Sequence, residues 1–166
     1  LASEVATEST ATIVQIPSDD VKGKIIGKEG RNITAFESMT GVDIIIDDTP
    51  GAIIISGYDL ARRYVAKLAI EKLVKDGRIQ PARIEEIVEK MKVEVGKMML
   101  EFGKRAVNDL GITGYPQELL KIIGRLRFRT SYGQNILKHS VEMAHMGRML
   151  ADEIGADPKI VVEGCL

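Results

Sequence analysis

Tryptophan is absent from this chain of 166 residues, and aromatic residues make up only 4% of it. Any hydrophobic core must therefore be aliphatic. The single cysteine, Cys165, excludes an intrachain disulfide and fits a reducing compartment. Purely apolar runs reach only four residues, as in AIII at 52–55, far short of the ~20 that a membrane-spanning helix needs. No signal peptide is visible at the amino end.

An excess of charge of either sign is also lacking. The chain has 23 Lys and Arg residues against 24 Asp and Glu, which gives a net charge of −1. Whole-chain charge therefore indicates no partner, and any basic site must be local. The hydrophobic share of 45% and the charged share of 28% are typical of a globular protein.

The first part of the chain mixes strand and helix signals. Alternating or β-branched runs predict strands at 11–17, 42–48 and 52–58, and helical spacings predict helices at 18–26, 31–41 and 59–76. Ser18, Asp19 and Asp59 are candidate N-caps, and Gly41 and Gly77 suit helix ends. The last two strands should pair as an antiparallel hairpin. The fold class predicted for residues 11–77 is α+β, with the order strand–helix–helix–strand–strand–helix.

The rest of the chain shows no strand signal after residue 58. Pro81 begins an amphipathic stripe that predicts a long helix to about residue 110. Further helices are predicted at 117–127, 134–154 and 158–166. This part of the chain is therefore predicted to be all-α.

Two glycines interrupt the helix signal in KGKIIGKEGRNI, residues 22–33. Glycine adopts positive φ and lets another backbone approach closely, and the helix that follows offers free N–H groups to an anion. Four cations and one carboxylate surround the two glycines: Lys22, Lys24, Lys28, Arg31 and Glu29. This local excess of three positive charges suits phosphate.

The Gly-x-x-Gly spacing alone is weak evidence, and a plain helix–turn–helix corner is the alternative. Its position between two helices, after one strand and before a hairpin and a helix, is the order of the KH module, and IIGKEGRNI resembles the KH signature. The resemblance implies a type I KH domain at 11–77 whose loop holds about four nucleotides of single-stranded RNA by their backbone. The RNA-binding residues so implied are Lys24, Ile26, Gly27, Lys28, Glu29, Gly30 and Arg31.

Other phosphate-binding loops do not fit this stretch. A P-loop requires Lys after its last glycine, where this chain has Arg31, and a dinucleotide fingerprint requires Gly where it has Ile25. Ile25, Ile26 and the strand at 42–46 are candidates to line a base groove, with core packing as the alternative for each isoleucine. No exposed aromatic residue is evident for base stacking, which predicts modest affinity.

Three other groups of residues invite a functional interpretation. Asp47 and Asp48 resemble a metal pair, but an acidic hairpin turn is favoured. The cations of residues 121–129 form either a phosphate-contacting strip or a solvated helix face. His139 and His145 lie about 120° apart on a helix, so one metal does not bind both.

The segments DDTPGAIIISG, KLVKDGRIQPARIEEIVEK and GRLRFRTSYGQNILKHS are similar to the bacterial ribonuclease Y family, and the likeness covers essentially the whole chain. The resemblance implies a homodimeric endoribonuclease, anchored at the cytoplasmic face of the cell membrane, that initiates mRNA decay and has RNA-degradation proteins as partners. It assigns residues 1–10 to the end of a coiled coil, 11–77 to the KH domain, 78–110 to a connecting helix and 111–166 to the start of an HD hydrolase domain.

The HD site of that family holds divalent Mn or Mg with an early His, a later His-Asp pair and a final Asp, and His139 matches the early His. This chain has no His-Asp pair. We therefore expect a soluble, cytoplasmic fragment that makes no membrane contact, binds RNA, holds no metal and does not cleave. Two alternatives stay open, a KH scaffold for RNA binding or protein assembly without nuclease activity, and an HD phosphohydrolase of small nucleotides.

Overall fold

The computed structural model describes residues 10–131 and 134–166. The chain forms two compact units, one ending at Val95 and the other beginning at Gly96. The boundary between them falls inside a long helix. The coiled-coil end predicted for residues 1–10 lies almost wholly outside the described residues.

The first unit has the predicted order of elements. They are β1 (Ala11–Gln15), α1 (Asp20–Ile26), α2 (Arg31–Thr40), β2 (Asp43–Ile45), β3 (Ala52–Ser56), α3 (Leu60–Asp76) and the beginning of α4 (Pro81–Asp109). A single 3-10 turn, Lys28–Gly30, separates α1 from α2. The predicted α+β class is confirmed.

The sheet of this unit has the strand order β1-β3-β2, and both pairs are antiparallel. Alternation along the strands places Val14, Ile44, Ile53 and Ile55 on one buried face. Helix α3 contacts β1 and β3 and adds its own buried side chains to this core. The predicted hairpin is present as the β2–β3 pair.

One of the two aspartates predicted to cap a helix in this unit does so. The Asp59 carboxylate accepts hydrogen bonds from the backbone N–H groups of Ala61 and Arg62, so it caps α3 as predicted. The capping role predicted for Asp19 is wrong, because its side chain accepts no hydrogen bond from a backbone N–H of the first turn of α1. Asp19 Oδ1 instead accepts a hydrogen bond of 3.0 Å from the N–H of Gly51, which lies in the β2–β3 loop.

The second unit is mainly helical. It contains the remainder of α4, α5 (Gln117–Arg125), the 3-10 turn Leu126–Phe128, β4 (Thr130–Ser131), β5 (Gln134–Asn135), α6 (Ile136–Ile154) and α7 (Pro158–Cys165). Leu110, Leu120, Ile123, Leu137 and Val162 belong to its core. The backbones of α4 and α5 touch at two glycines, since a Cβ on Gly103 or Gly124 would overlap a backbone carbonyl of the other helix.

The prediction of no strand after residue 58 is wrong. Thr130 pairs with Asn135, and Ser131 pairs with Gln134, in a short antiparallel ladder. Each strand has two residues, which is too short to produce the alternation by which strands are recognised in a sequence. Helix α6 accordingly begins at Ile136, with the side chain of Asn135 accepting a hydrogen bond from the N–H of Lys138.

Candidate nucleic-acid interface

The loop between α1 and α2 has an unusual backbone. Gly27 has φ 73° and ψ 174°, Glu29 has φ 56° and ψ 28°, and Gly30 has φ 72° and ψ 14°. Glu29 is the only residue other than glycine with positive φ in the described part of the chain. Since side chains disfavour this region, the loop is held in its shape by its surroundings.

The two glycines are required for different reasons. A Cβ on Gly27 would lie 2.6 Å from Cγ and Nδ2 of Asn32, so this position needs both positive φ and the absence of a side chain. A Cβ on Gly30 would meet only the Ile33 side chain, at 3.8 Å. At Gly30 the left-handed φ is therefore the only constraint.

The amino end of α2 is open to an anion. Gly30 occupies its N-cap position, so no side chain caps the helix, and its first turn contains no acidic residue. The N–H of Arg31, the first residue of α2, donates to the carbonyl of Lys28 in the 3-10 turn, and the N–H groups of this helix start carry a partial positive charge. Their place directly after the Gly27–Gly30 loop suits a phosphate of a polymer backbone.

Three exposed cations flank this helix end. Lys24, Lys28 and Arg31 make no ion pair with any residue that the structure describes. Some other lysines of the chain do form ion pairs, for example Lys92 with Glu89 and Lys104 with Glu101. The charges beside the loop are therefore available to a ligand.

Lys22, the fourth cation expected to favour phosphate, has another role. Its Nζ donates hydrogen bonds to the backbone oxygens of Asp47 (3.0 Å) and Thr49 (2.6 Å), and lies 3.2 Å from an Asp19 oxygen. Its side chain is only 12% exposed. Lys22 thus connects α1 to the β2–β3 loop. The excess of positive charge beside the Gly27–Gly30 loop is therefore smaller than predicted.

The acidic residues of the β2–β3 region also serve structure. The backbone N–H of Thr49 donates a hydrogen bond to Asp47 and lowers the pKa of its carboxyl. The pKa of Asp19 is lowered mainly by the hydrogen bond from the N–H of Gly51 and, to a smaller extent, by Lys22. Within residues 10–131 and 134–166, no group of three or more His, Cys, Asp or Glu is placed to hold a metal. The interpretation of Asp47 and Asp48 as an acidic turn stays a prediction.

The candidate groove residues divide by burial. Ile25 is 5% exposed and belongs to the core, whereas Ile26 beside it is 37% exposed. On β2, Ile44 is buried and Ile45 is exposed. The expectation of no exposed aromatic is wrong, because Tyr58, directly after β3, is 95% exposed.

Sequence reasoning missed Asn32, a buried residue in the first turn of α2. Its Nδ2 donates to the backbone oxygens of Lys24 (2.9 Å) and Ile79 (3.1 Å), and its side chain lies directly under Gly27. The only sequence feature that points to Asn32 is a polar residue at a helix start, directly after Arg31, and this feature is too common to be specific.

The basic residues of 121–129 are exposed on α5 and the turn that follows it. The guanidinium of Arg127 lies 5.8 Å from the ring centroid of Phe102, within the distance of a cation–π interaction. This contact accounts for one member of the strip without nucleic acid. Phosphate contact and a solvated face both remain open for the others.

His139 lies on the first turns of α6. It lines a recess of about 220 Å³ together with Gln134, Asn135, Lys138 and Glu142. One imidazole and one carboxylate beside a lysine do not make up the several ligands that a divalent ion needs. The described residues therefore do not fit a metal centre, and the metal role of His139 stays a prediction.

Comparison with known proteins gives a match within the first unit. The family model of the KH domain matches residues 10–72. Residues 10–72 have the fold of a KH domain. The strand order β1-β3-β2 and the loop between α1 and α2 are thus the sheet and the glycine loop of this KH domain.

The similarity extends beyond the KH domain to nearly the whole chain. The chain is 55% identical to ribonuclease Y of Alkaliphilus metalliredigens over 96% of its own length and 34% of that protein's. Ribonuclease Y of Thermoanaerobacter pseudethanolicus is 57% identical (94% and 31%), and that of Lactobacillus johnsonii is 52% identical (99% and 31%). The resemblance to ribonuclease Y is confirmed, and the chain spans about a third of the length of these relatives.

Two solved structures are also similar over part of the chain. A protein of unknown function from Aeropyrum pernix matches with a TM-score of 0.42 at 27% identity, over 52% of this chain and 48% of that one. Dim2p from Pyrococcus horikoshii matches with a TM-score of 0.40 at 19% identity, over 80% of this chain and 88% of that one.

No helix in the described ranges is long and apolar enough to cross a membrane.

Proposed function

We propose that the KH domain binds single-stranded RNA through the Gly27–Gly30 loop and the amino end of α2. The observation that carries the proposal is the combination of an uncapped helix start with three cations that have no ion-pair partner among the described residues. Lys24, Lys28 and Arg31 would contact phosphates, Gly27 and Gly30 would admit the backbone, and Ile26 would lie against a base. Glu29 would keep its left-handed backbone conformation and so maintain the shape of the loop.

We further propose that this binding serves an endoribonuclease, the activity that the relatives' name describes. Under this proposal the chain positions RNA, and phosphodiester hydrolysis depends on ligands for Mn or Mg beyond His139. Initiation of mRNA decay at the cytoplasmic face of the membrane, a homodimer and RNA-degradation partners belong to the same proposal. The 52–57% identity to ribonuclease Y supports it.

Fluorescence anisotropy with a labelled single-stranded RNA of about 12 nucleotides tests the RNA proposal. The chain is compared with a Lys28→Asp, Glu29→Asp double variant at two salt concentrations. Aspartate tolerates left-handed φ, so the variant reverses loop charge without forcing the backbone to change. Lys90→Asp, at an exposed position of α4, is the control with the same change of charge.

We expect the parent chain to bind with a slope of log K against log salt of about −2, as three neutralised phosphates predict. The double variant should bind at least about tenfold more weakly and with a shallower slope. Lys90→Asp should bind within about twofold of the parent. Equal loss in both variants, or no binding by the parent, would refute RNA binding at the loop.

A second candidate function is a KH scaffold for protein assembly, and one observation favours it. Ile13, Ile54 and Ile45 are paired in register across β1, β3 and β2, and Ile13 and Ile45 are 62% and 46% exposed. Such an apolar row suits a protein partner. If the RNA titration fails, sedimentation of the chain and of Ile13→Asp is the test, and equal sedimentation would exclude self-assembly through this face.

A further inference from the structure

The side chain of Asn32 joins the loop region to a distant segment of the same unit. Its amide donates one hydrogen to the backbone oxygen of Lys24, in the last turn of α1, where helix carbonyls lack intrahelical partners. It donates the other to the backbone oxygen of Ile79, which is 47 residues further along and lies between α3 and α4. With both hydrogens used and the residue 8% exposed, the amide is fixed in place.

The loop backbone rests on this amide. The space that a Gly27 side chain would occupy is filled by Asn32, whose Cγ and Nδ2 lie 2.6 Å from the position of a Cβ. Gly27 therefore cannot move toward Asn32, and a movement of Asn32 would remove the support under Gly27. A buried side chain thus controls the position of the loop backbone at Gly27.

We propose that Asn32 is a positioning residue of the RNA clamp, and that its bond to Ile79 couples the clamp to the segment 77–80 that leads into α4. The proposal rests on the proposed RNA binding at the Gly27–Gly30 loop. RNA that holds the loop keeps Asn32 in place, and Asn32 keeps the carbonyl of Ile79 in place. Coupling between two sites is reciprocal, so a fixed segment 77–80 raises RNA affinity by the same factor.

Two substitutions of Asn32 remove its donors in different ways. Asn32→Asp keeps the shape and places carboxylate oxygens beside two carbonyl oxygens, whereas Asn32→Leu is neutral and similar in volume. The matched control is Thr40→Val, in the same helix. The buried Thr40 hydroxyl donates to the backbone oxygen of Phe36 at 2.8 Å, at the end of α2 remote in sequence from the loop.

The first readout is RNA affinity as a function of salt. Both Asn32 variants should bind at least about tenfold more weakly than the parent, with an unchanged salt slope for Asn32→Leu, because the asparagine and leucine side chains are both uncharged. Thr40→Val should bind as the parent does. A loss in Thr40→Val equal to that in Asn32→Leu would assign Asn32 a merely structural role and overturn the inference.

The second readout is hydrogen exchange of the peptide that covers residues 77–84, with and without the RNA. RNA should slow exchange there in the parent and in Thr40→Val, and should have no such effect in either Asn32 variant. The measurement on the unaltered chain does not depend on any variant folding, and absence of protection in it would overturn the coupling.

The two proposals fail in different ways. If the parent binds no RNA, or if Lys28→Asp, Glu29→Asp leaves binding unchanged, the clamp itself is refuted and the inference falls with it. If that loop variant weakens binding and the Asn32 variants do not, RNA binding at the loop stands and only the positioning role of Asn32 is refuted.

Discussion

At the Gly27–Gly30 loop, residues 24–32 bring together a strained backbone, an uncapped helix start, exposed cations and a buried support. At His139, one imidazole lies in an open recess beside Lys138 and Glu142. A site that binds RNA phosphates uses backbone N–H groups and cationic side chains. One continuous segment of the chain can supply both. A metal centre requires several ligands that converge from separate segments. This difference is why we propose RNA binding at the loop and no metal chemistry at His139.

The largest expected effect separates the two glycines of the loop. Gly27→Ala should lower the free energy of unfolding by about 3 kcal/mol and abolish RNA binding, because the position combines a glycine-only backbone with overlap on Asn32. Gly30→Ala meets no close neighbour and should cost only about 1–2 kcal/mol for its left-handed φ. Urea unfolding followed by circular dichroism gives both values, and equal losses would contradict the distinction.

A second pair of variants separates a structural lysine from a ligand-binding one. Lys22→Met removes two hydrogen bonds to the β2–β3 loop and should lower the free energy of unfolding by about 1–2 kcal/mol. Its RNA salt slope should be that of the parent.

The matched variant is Lys24→Met, at an exposed position without an ion-pair partner in the described ranges. Its stability should stay within about 0.5 kcal/mol of the parent, and its salt slope should become shallower by about 0.7. An unfolding loss in Lys24→Met, or a changed slope in Lys22→Met, would reverse the two roles.

Acid should weaken the same contact between α1 and the β2–β3 loop. The pKa of Asp19 and that of Asp47 lie below their ordinary value of 3.8, so each carboxylate favours the folded state above that pH. This contribution is lost as the pH falls from 3.8 through the lower folded values. Asp19→Asn should therefore flatten the dependence of unfolding midpoints on pH below about 4. An unchanged pH profile would count against the carboxylate contact with Gly51.

The smallest expected effect is at His139. His139→Ala should leave RNA affinity within about twofold of the parent, because His139 is not among the residues proposed to bind RNA. We also expect no RNA cleavage by this chain with Mn²⁺, since one imidazole does not hold a metal in a hydrolytic site. Gel assays with purified protein measure cleavage. Mn²⁺-dependent cleavage that His139→Ala abolishes would contradict the comparison between the two regions.

Local patterns predicted most of the fold. Strand alternation, the cap at Asp59 and the helix ends at Gly41 and Gly77 depend on neighbours in sequence, and the element order in the KH domain followed from them. The two-residue strands β4 and β5 could not be predicted, because a pair of residues carries no periodicity.

Contacts between residues far apart in sequence limited the prediction of the site. Lys24, Lys28 and Arg31 are exposed beside the loop, but Lys22 turns to carbonyls more than 20 residues away. Asn32 reaches Ile79 across 47 residues. The different burial of Ile25 and Ile26, which are adjacent, depends on packing against other elements. Composition and spacing do not contain this information.

Amide chemical shifts of the ¹⁵N-labelled chain, recorded as single-stranded RNA is added, test the central claim most directly. We predict that the largest shifts fall on residues 24–32, with smaller ones at 78–80 and none at 121–129. Shifts confined to the basic residues of 121–129, with the Gly27 and Gly30 signals unmoved, would contradict the account and place RNA on the second unit.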